Sequence, residues 1–191
     1  GKANPGIAGA EAPTTRSRVA SGTASLGYGR PVTAILPGRA EHEEWMRLAL
    51  ASAERAGQLG EVPIGAVVVH HGPDGDTVVA ARHNERESTA DPTAHAEVLA
   101  LRDASVALGR WRLDDCTLVV TLEPCPMCAG ALWAARIGGV VSGAPNTDAG
   151  ALGTLYHLGQ DPRLNHEFPV RTGVLAEQAS EVLREFFARR R

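Results

Sequence analysis

The chain of 191 residues has few cysteines, no long hydrophobic run and little net charge, and each shortage excludes a class of protein. Three cysteines are too few for a disulfide-stabilised scaffold, so a reducing compartment is the simpler expectation. No apolar run reaches the roughly 18 to 20 residues of a membrane-spanning helix. A net charge of -3 gives no overall basic character that would indicate a nucleic-acid partner. The 43% of hydrophobic residues is instead typical of a globular domain.

Residues 1–40 differ in composition from the rest of the chain. They are rich in Gly, Ala, Ser, Thr and Pro and carry five cations against one anion, whereas residues 41–191 carry 14 cations and 21 anions. The first segment shows no helical or strand period. We predict that residues 1–40 are a disordered or leader extension, with an organellar transit peptide as the alternative, and that residues 41–191 form one folded domain.

The apolar pattern of residues 41–191 predicts helices that alternate with strands. The predicted elements are a helix from Glu41, strands at 64–70 and 77–82, a helix after Asp91, a strand at 116–122, a helix from Pro126, strands at 140–142 and 170–175, and a helix at 177–189. The first two strands are joined by a Gly- and Asp-containing turn and should form a hairpin. This order predicts an α/β fold, a three-layer α/β/α sandwich with a mixed central sheet of about five strands.

Three potential metal ligands give the strongest functional signal in the sequence. His95 lies in Thr-Ala-His-Ala-Glu, and Cys125 and Cys128 form a Cys-x-x-Cys pair in Glu-Pro-Cys-Pro-Met-Cys. Two cysteines three residues apart in the first turn of a helix can bind one ion, because the helix N-terminus favours the thiolate form. Three protein ligands leave a fourth position for water, as in catalytic zinc sites. We therefore predict one zinc ion bound by His95, Cys125 and Cys128.

Glu97, two residues after His95, is the predicted proton acceptor. Residues i and i+2 do not share a face of a regular helix, so the pair can converge on one water only if His95 lies at the irregular start of the helix. Asp91, Pro92 and Thr93 are typical of such a start. Glu97 would then take a proton from water and transfer it to the leaving group.

Two other interpretations of the Cys-x-x-Cys pair are open. The pair could be a redox couple, although no thioredoxin-like setting accompanies it, or the zinc could be purely structural. Cys116 falls in an apolar strand pattern and is expected to pack in the core. The six remaining histidines are expected to lie on the surface or to form ordinary hydrogen bonds: His42, His70, His71, His83, His157 and His166.

The His-x-Glu and Pro-Cys-x-x-Cys motifs resemble those of the zinc-dependent cytidine/deoxycytidylate deaminase superfamily. Within it, the chain closely resembles the bacterial tRNA-specific adenosine deaminases. The similarity covers about residues 41–190 and includes Asp-Pro-Thr-Ala-His-Ala-Glu at 91–97, Met-Cys-Ala-Gly-Ala at 127–131, and Phe186 and Phe187 before a basic C-terminus. By this resemblance, residues 41–191 are a zinc-dependent deaminase domain with the cytidine deaminase-like fold.

The resemblance implies a cytoplasmic homodimer that binds one zinc ion per subunit and converts adenosine to inosine at the wobble position of a tRNA anticodon. The unpaired anticodon loop lowers the cost of moving the base into a pocket. Glu97 would shuttle protons, and Asn84 would form a hydrogen bond with the purine. Ile64, Gly65 and Ala66 would pack against the base.

The loop after the fourth strand departs from the family pattern of an Asp followed, two positions later, by a basic residue. Asn146 and Asp148 occupy these positions here. We predict that Asn146 contacts the substrate. The lack of a basic residue at position 148 weakens the expected contacts with phosphate. The cations that would compensate are Arg163, Arg171, Arg189, Arg190, Arg191 and those of residues 1–40.

Two other functions are open. The chain could be another enzyme of the superfamily that acts on a free base or nucleoside, such as a guanine or cytosine deaminase. It could also be a non-catalytic RNA-binding subunit with a structural zinc. Glu97 argues against the second alternative, because a binding module does not need a proton shuttle.

Overall fold

A computed structural model describes Leu36 and residues 38–190 of the chain. The elements are α1 (Arg39–Gln58), β1 (Gly65–Gly72), β2 (Gly75–His83), α2 (Arg86–Thr89), α3 (Ala96–Leu108), β3 (Cys116–Leu122), α4 (Pro126–Ala134), β4 (Gly139–Ala144), β5 (Val170–Arg171) and α5 (Ala176–Ala188). The predicted leader lies outside the described residues, except for Leu36 and residues 38–40.

The five strands form one mixed sheet in the order β2-β1-β3-β4-β5. β1 is antiparallel to both β2 and β3, whereas β3, β4 and β5 run parallel. The carboxyl ends of β3 and β4 therefore meet at one edge of the sheet, where ligands commonly bind in α/β proteins.

Alternating side chains of β1 and β3 pack against helices on both faces of the sheet. Val67, Val69 and Val119 belong to one buried cluster with residues of α1 and α5. Ala66, Val68 and Val120 belong to a second cluster with residues of α3 and α4. The three-layer α/β/α sandwich predicted from the sequence is confirmed. Among the described helices, none combines the length and apolar character needed to cross a bilayer.

Three local expectations differ from the structure. α1 begins at Arg39, two residues before the predicted start, and β5 contains only two residues rather than the predicted 170–175. Gly173 and Leu175 adopt positive φ values of 79° and 51°, which end the extended chain after β5. α2 was not expected, and the carboxylate of Glu61 accepts hydrogen bonds from the amides of Glu87 and Ser88 in this helix.

The expectation that His42 lies on the surface or forms ordinary hydrogen bonds is wrong. His42 is completely buried beside Trp45 in α1, and neither ring nitrogen has a hydrogen-bond partner among the described residues. His71 is also buried, but it bonds to Asp76 and Thr117, as the second half of the expectation allows.

Candidate metal centre

His95 lies at the start of α3 but outside the regular helix. It is the N-cap residue, with extended dihedral angles of φ -77° and ψ 148°. Glu97 lies in the first turn of α3. The chain therefore changes from extended to helical between the two residues, so the ordinary i, i+2 divergence within a helix does not apply.

The two cysteines lie at the equivalent start of α4. Cys125 is the N-cap residue, and Pro126 occupies the first helical position, where its missing N–H and fixed φ are tolerated. Cys128 follows in the first turn, at a helix end whose unpaired amides favour negative charge.

The structure brings one nitrogen and two sulfur atoms together. His95 Nδ1 lies 3.5 Å from Cys128 Sγ and 3.9 Å from Cys125 Sγ, and the two sulfur atoms are 3.6 Å apart. A tetrahedral zinc ion would place such ligand atoms about 3.5 to 3.8 Å from one another. The donor set and its spacing therefore fit zinc, with Nδ1 as the imidazole ligand.

The two sulfur atoms lie within hydrogen-bond distance of each other. The hydrogen bond with Cys128 lowers the pKa of Cys125 to about 4. The same bond, together with burial, raises the pKa of Cys128. Burial also raises the pKa of Cys116, which lies in the core cluster as expected and apart from the metal-ligand group. A cation that binds the pair would replace the thiol proton.

Glu97 points into the same group. Its side chain is 3% exposed, it interacts with Cys128, and its Oε2 has no hydrogen-bond partner among the described residues. Burial raises the pKa of Glu97. A buried carboxyl group with an unused oxygen beside metal ligands is suited to proton transfer.

Asn84 fixes the backbone between His95 and Glu97. Its side-chain Oδ1 accepts a hydrogen bond of 2.9 Å from the backbone amide of Ala96. The backbone amide of Asn84 donates to the carbonyl of Ile64 at 3.1 Å. Asn84 thus joins the starts of β1 and α3. The contact with a purine stays a prediction and would fall to Nδ2.

The three residues predicted to pack against the base lie on different faces of β1. Ile64 and Ala66 pack on the side of α3 and α4. A side chain at Gly65 would point towards α1 instead, since a Cβ there would lie 2.0 Å from the carbonyl oxygen of Ala49. A substrate contact of Gly65 is therefore limited to its backbone.

Both ends of the Asn146 amide are used inside the loop after β4. Nδ2 donates to the carbonyl of Glu123, and Oδ1 accepts from the amides of Asp148 and Ala149. The expected substrate contact of Asn146 stays a prediction.

Sequence reasoning gave Glu123 no role, although an acidic residue between an apolar strand and a Pro-Cys motif was a usable signal.

Three of the compensating cations have partners within the chain. Arg163 pairs with Asp161 and Arg189 with Glu185, while Arg190 lies over the ring of Phe186. Such exposed ion pairs contribute little energy and do not prevent a contact with phosphate. Arg191 lies outside the described residues.

The sequence of the chain is similar to those of known deaminases. Residues 40–191 match the family model of MafB19-like deaminases. The chain is 46% identical over 147 residues to the tRNA-specific adenosine deaminase of Bacillus subtilis, covering 77% of this chain and 89% of that protein. It is 44% identical over 149 residues to the enzyme of the same name from Haemophilus influenzae, covering 78% and 84%.

Solved structures of deaminases are also similar to this chain. One from studies of A-to-I editing by tRNA:A34 deaminases at the wobble position of transfer RNA has a TM-score of 0.68 and 41% identity, covering 73% of this chain and 99% of that chain. A guanine deaminase from Nitrosomonas europaea has a TM-score of 0.64 and 28% identity, covering 86% and 97%.

Proposed function

The chain belongs to the MafB19-like deaminases and to the family of tRNA-specific adenosine deaminases, and we therefore propose that it converts adenosine to inosine at the wobble position of a tRNA anticodon. The observation that carries the proposal is that buried Glu97 interacts with Cys128, one of three residues, His95, Cys125 and Cys128, whose side-chain atoms are close enough together to hold one metal ion. A purely binding protein would not need a carboxyl group at this place.

The cofactor that we propose is zinc, one ion per subunit, held by His95 Nδ1 and the sulfur atoms of Cys125 and Cys128. When bound, zinc would supply Lewis acidity that lowers the pKa of water. Glu97 would take a proton from the attacking water and deliver it to the amino nitrogen at C6 of the base. The balanced reaction consumes adenosine and water and releases inosine and ammonia.

The chain's own residues would orient the site before the base enters. The bond from Ala96 to Asn84 holds the first turn of α3, so that His95 and Glu97 keep fixed directions. Asn84 Nδ2, Ile64 and Ala66 would contact the base, and Asn146 would lie near the RNA. The flanking nucleotides of the anticodon loop would remain on the surface.

We also propose that the enzyme is a cytoplasmic homodimer. The bacterial tRNA-specific relatives support the location, and the three unpaired cysteines fit a reducing compartment. The described part of the chain leaves several large apolar side chains exposed, among them Met127, Leu155 and Tyr156 at 37%, 52% and 55%, and such side chains are candidates for a dimer surface. Sedimentation at micromolar concentration would measure the expected mass of two chains.

A guanine deaminase is the second candidate, favoured by the structural similarity to the Nitrosomonas europaea enzyme. The lower identity of that enzyme, 28% against 46% for the Bacillus subtilis relative, ranks it second.

One assay separates the candidates. Zinc-loaded protein is incubated with an anticodon stem-loop that carries adenosine at the wobble position, and in parallel with free guanine, cytosine and cytidine. We expect inosine in the stem-loop and no ammonia from the free bases. Ammonia from guanine with unchanged RNA would assign the second candidate. A lack of any product at full zinc loading would favour an RNA-binding subunit.

A further inference from the structure

Glu123 is a buried carboxylate that the proposed mechanism does not use. It follows β3 directly, precedes Cys125 by two residues and is 3% exposed. Its Oε1 accepts hydrogen bonds of 3.0 Å from the amides of Leu152 and Thr154. Its Oε2 accepts from the amide of Asn146 at 3.2 Å and from the hydroxyl of Thr154. All four bonds go to one segment, residues 146–154, which we call the 146–154 loop.

Further contacts hold the loop against the same short stretch of chain. Asn146 Nδ2 donates to the carbonyl of Glu123 at 3.3 Å, and the amide of Ala151 donates to the carbonyl of Pro124 at 2.9 Å. At Gly150 a Cβ would lie 2.5 Å from Glu123 Oε2. The loop therefore wraps closely around the Glu123 carboxylate, and a side chain at position 150 would not fit.

The position of this anchor links the loop to the metal centre. Cys125 lies just beyond the carboxyl end of β3, and the 146–154 loop begins just beyond that of β4, the parallel neighbour of β3. The loop therefore lies at the edge of the sheet that holds the ligands. Within the described part of the chain, the hydrogen bonds of the Glu123 carboxylate go to the loop rather than to His95, Cys125 or Cys128.

We propose that Glu123 is a positioning residue that holds the 146–154 loop in its RNA-binding shape and so determines affinity for the polynucleotide rather than the rate of the chemical step. This inference rests on the proposed function. A loop that is ordered in advance loses less conformational entropy when the RNA binds. Charge-assisted hydrogen bonds to backbone amides are suited to this task, because they are stronger than neutral ones.

The test uses the full-length zinc-loaded protein and the substitution Glu123→Gln. The glutamine has the same shape, and its Oε1 can still accept from Leu152 and Thr154. Its Nε2 is a donor and would face the donating amide of Asn146. We expect KM for the wobble-adenosine stem-loop to rise about 10-fold, because a hydrogen bond to a charged group is lost. The value of kcat and the zinc content per chain should stay within about 2-fold, since the substitution touches neither Glu97 nor the ligands.

Hydrogen exchange gives a readout that does not depend on activity. In Glu123→Gln the amides of residues 146, 152 and 154 should exchange faster than in the wild type. The matched control is Glu61→Gln, which changes another buried carboxylate whose partners are the amides of Glu87 and Ser88. The control should speed exchange at residues 87 and 88 and leave the three loop amides unchanged.

Thr154→Val provides a milder second variant, since it removes only the hydroxyl bond to Glu123. It should raise KM about 2- to 3-fold with unchanged kcat. The proposal is overturned if KM for either folded variant stays at the wild-type value, or if kcat or zinc content falls while KM does not change. Unchanged exchange of the loop amides in Glu123→Gln would also overturn it. Failure of the proposed function would be seen separately, as a wild-type protein that forms no inosine in the stem-loop.

Discussion

At the scale of single residues, the proposed chemistry depends on the change of backbone conformation between His95 and Glu97. His95 is extended and Glu97 is helical, and the amide of Ala96 between them is bound by Asn84. This arrangement allows a ligand and a carboxyl group two residues apart to face the same space. A helix that began one turn earlier would separate them, because i and i+2 point to different sides.

Replacement of the Glu97 carboxyl group should strongly reduce turnover and spare the bound metal. In Glu97→Gln the amide keeps the shape of the side chain but cannot take up a proton. We expect kcat on the stem-loop to fall by about 10²- to 10⁴-fold, the typical contribution of general acid-base catalysis. Zinc per chain, measured by atomic emission, should equal that of the wild type. Near-normal turnover of the zinc-loaded variant would contradict the role of Glu97.

The three cysteines provide a matched pair of substitutions for the metal centre. Cys128→Ser replaces a thiolate ligand with a poorly ionised hydroxyl, so we expect loss of most of the bound zinc. Cys116→Ser changes a cysteine that is equally buried but lies in the core cluster. It should lower stability and keep one zinc per chain, as measured after gel filtration. Equal zinc loss in both variants would mean that metal content merely follows stability.

At the scale of elements, the contact between α1 and β1 determines where the start of β1 lies relative to the helix. α1 approaches β1 at Gly65, where a side chain would meet the helix backbone at Ala49 and Ala53. The same glycine begins the strand that continues from Ile64, whose carbonyl binds Asn84. The packing of α1 is thereby connected to the residues that orient α3.

The substitution Gly65→Ala tests this close approach. A methyl group would lie 2.0 Å from the Ala49 oxygen and 2.6 Å from the Ala53 nitrogen, so the helix must move. We expect a loss of about 1 to 3 kcal/mol, or more, in the free energy of unfolding. The control Gly130→Ala lies in α4 with no described atom within 4 Å of the new Cβ. It should gain about 0.5 to 1 kcal/mol. Denaturant unfolding measures both, and a neutral Gly65→Ala would contradict the packing.

At the scale of the whole molecule, buried polar groups connect the layers. His42 and Trp45 of α1 and His71 of β1 lie in a row, with ring centroids 5.7 and 5.8 Å apart. Because His42 has no hydrogen-bond partner among the described residues, its protonation inside the fold would be costly.

Global stability should therefore decrease with acidity through His42. Burial and the nearby Arg171 lower the pKa of His42 below 6.5 in the folded state. As the pH falls below about 6.5, the unfolded chain takes up a proton that the folded chain does not, so the free energy of unfolding falls towards the folded pKa. Above that range the loss is absent.

The measurement compares zinc-loaded wild type and His42→Leu by denaturant unfolding between pH 7.5 and pH 5. The variant should show a weaker pH dependence, while His157→Gln, which changes an exposed histidine, should follow the wild type. Parallel curves for the wild type and His42→Leu would show that His42 does not contribute.

The sequence by itself determined the layers, the order of the main strands and helices along the chain, and the group of residues that could hold a metal. These features depend on local signals. A short apolar run marks β3, a period of 3.6 residues marks α3, and a fixed spacing places Cys125 and Cys128 in one helical turn. Such signals are complete within about ten residues, so no knowledge of distant contacts is needed.

The tertiary structure alone decided which nitrogen of His95 faces the sulfur atoms, that Asn84 binds Ala96, and that His42 is buried. It also decided the role of Glu123, whose partner Thr154 lies 31 residues further along the chain. The physical reason is that a polar side chain has no intrinsic partner. Its hydrogen bonds depend on which groups the packed layers bring within about 3 Å, and this is fixed only when the sheet and the helices have assembled.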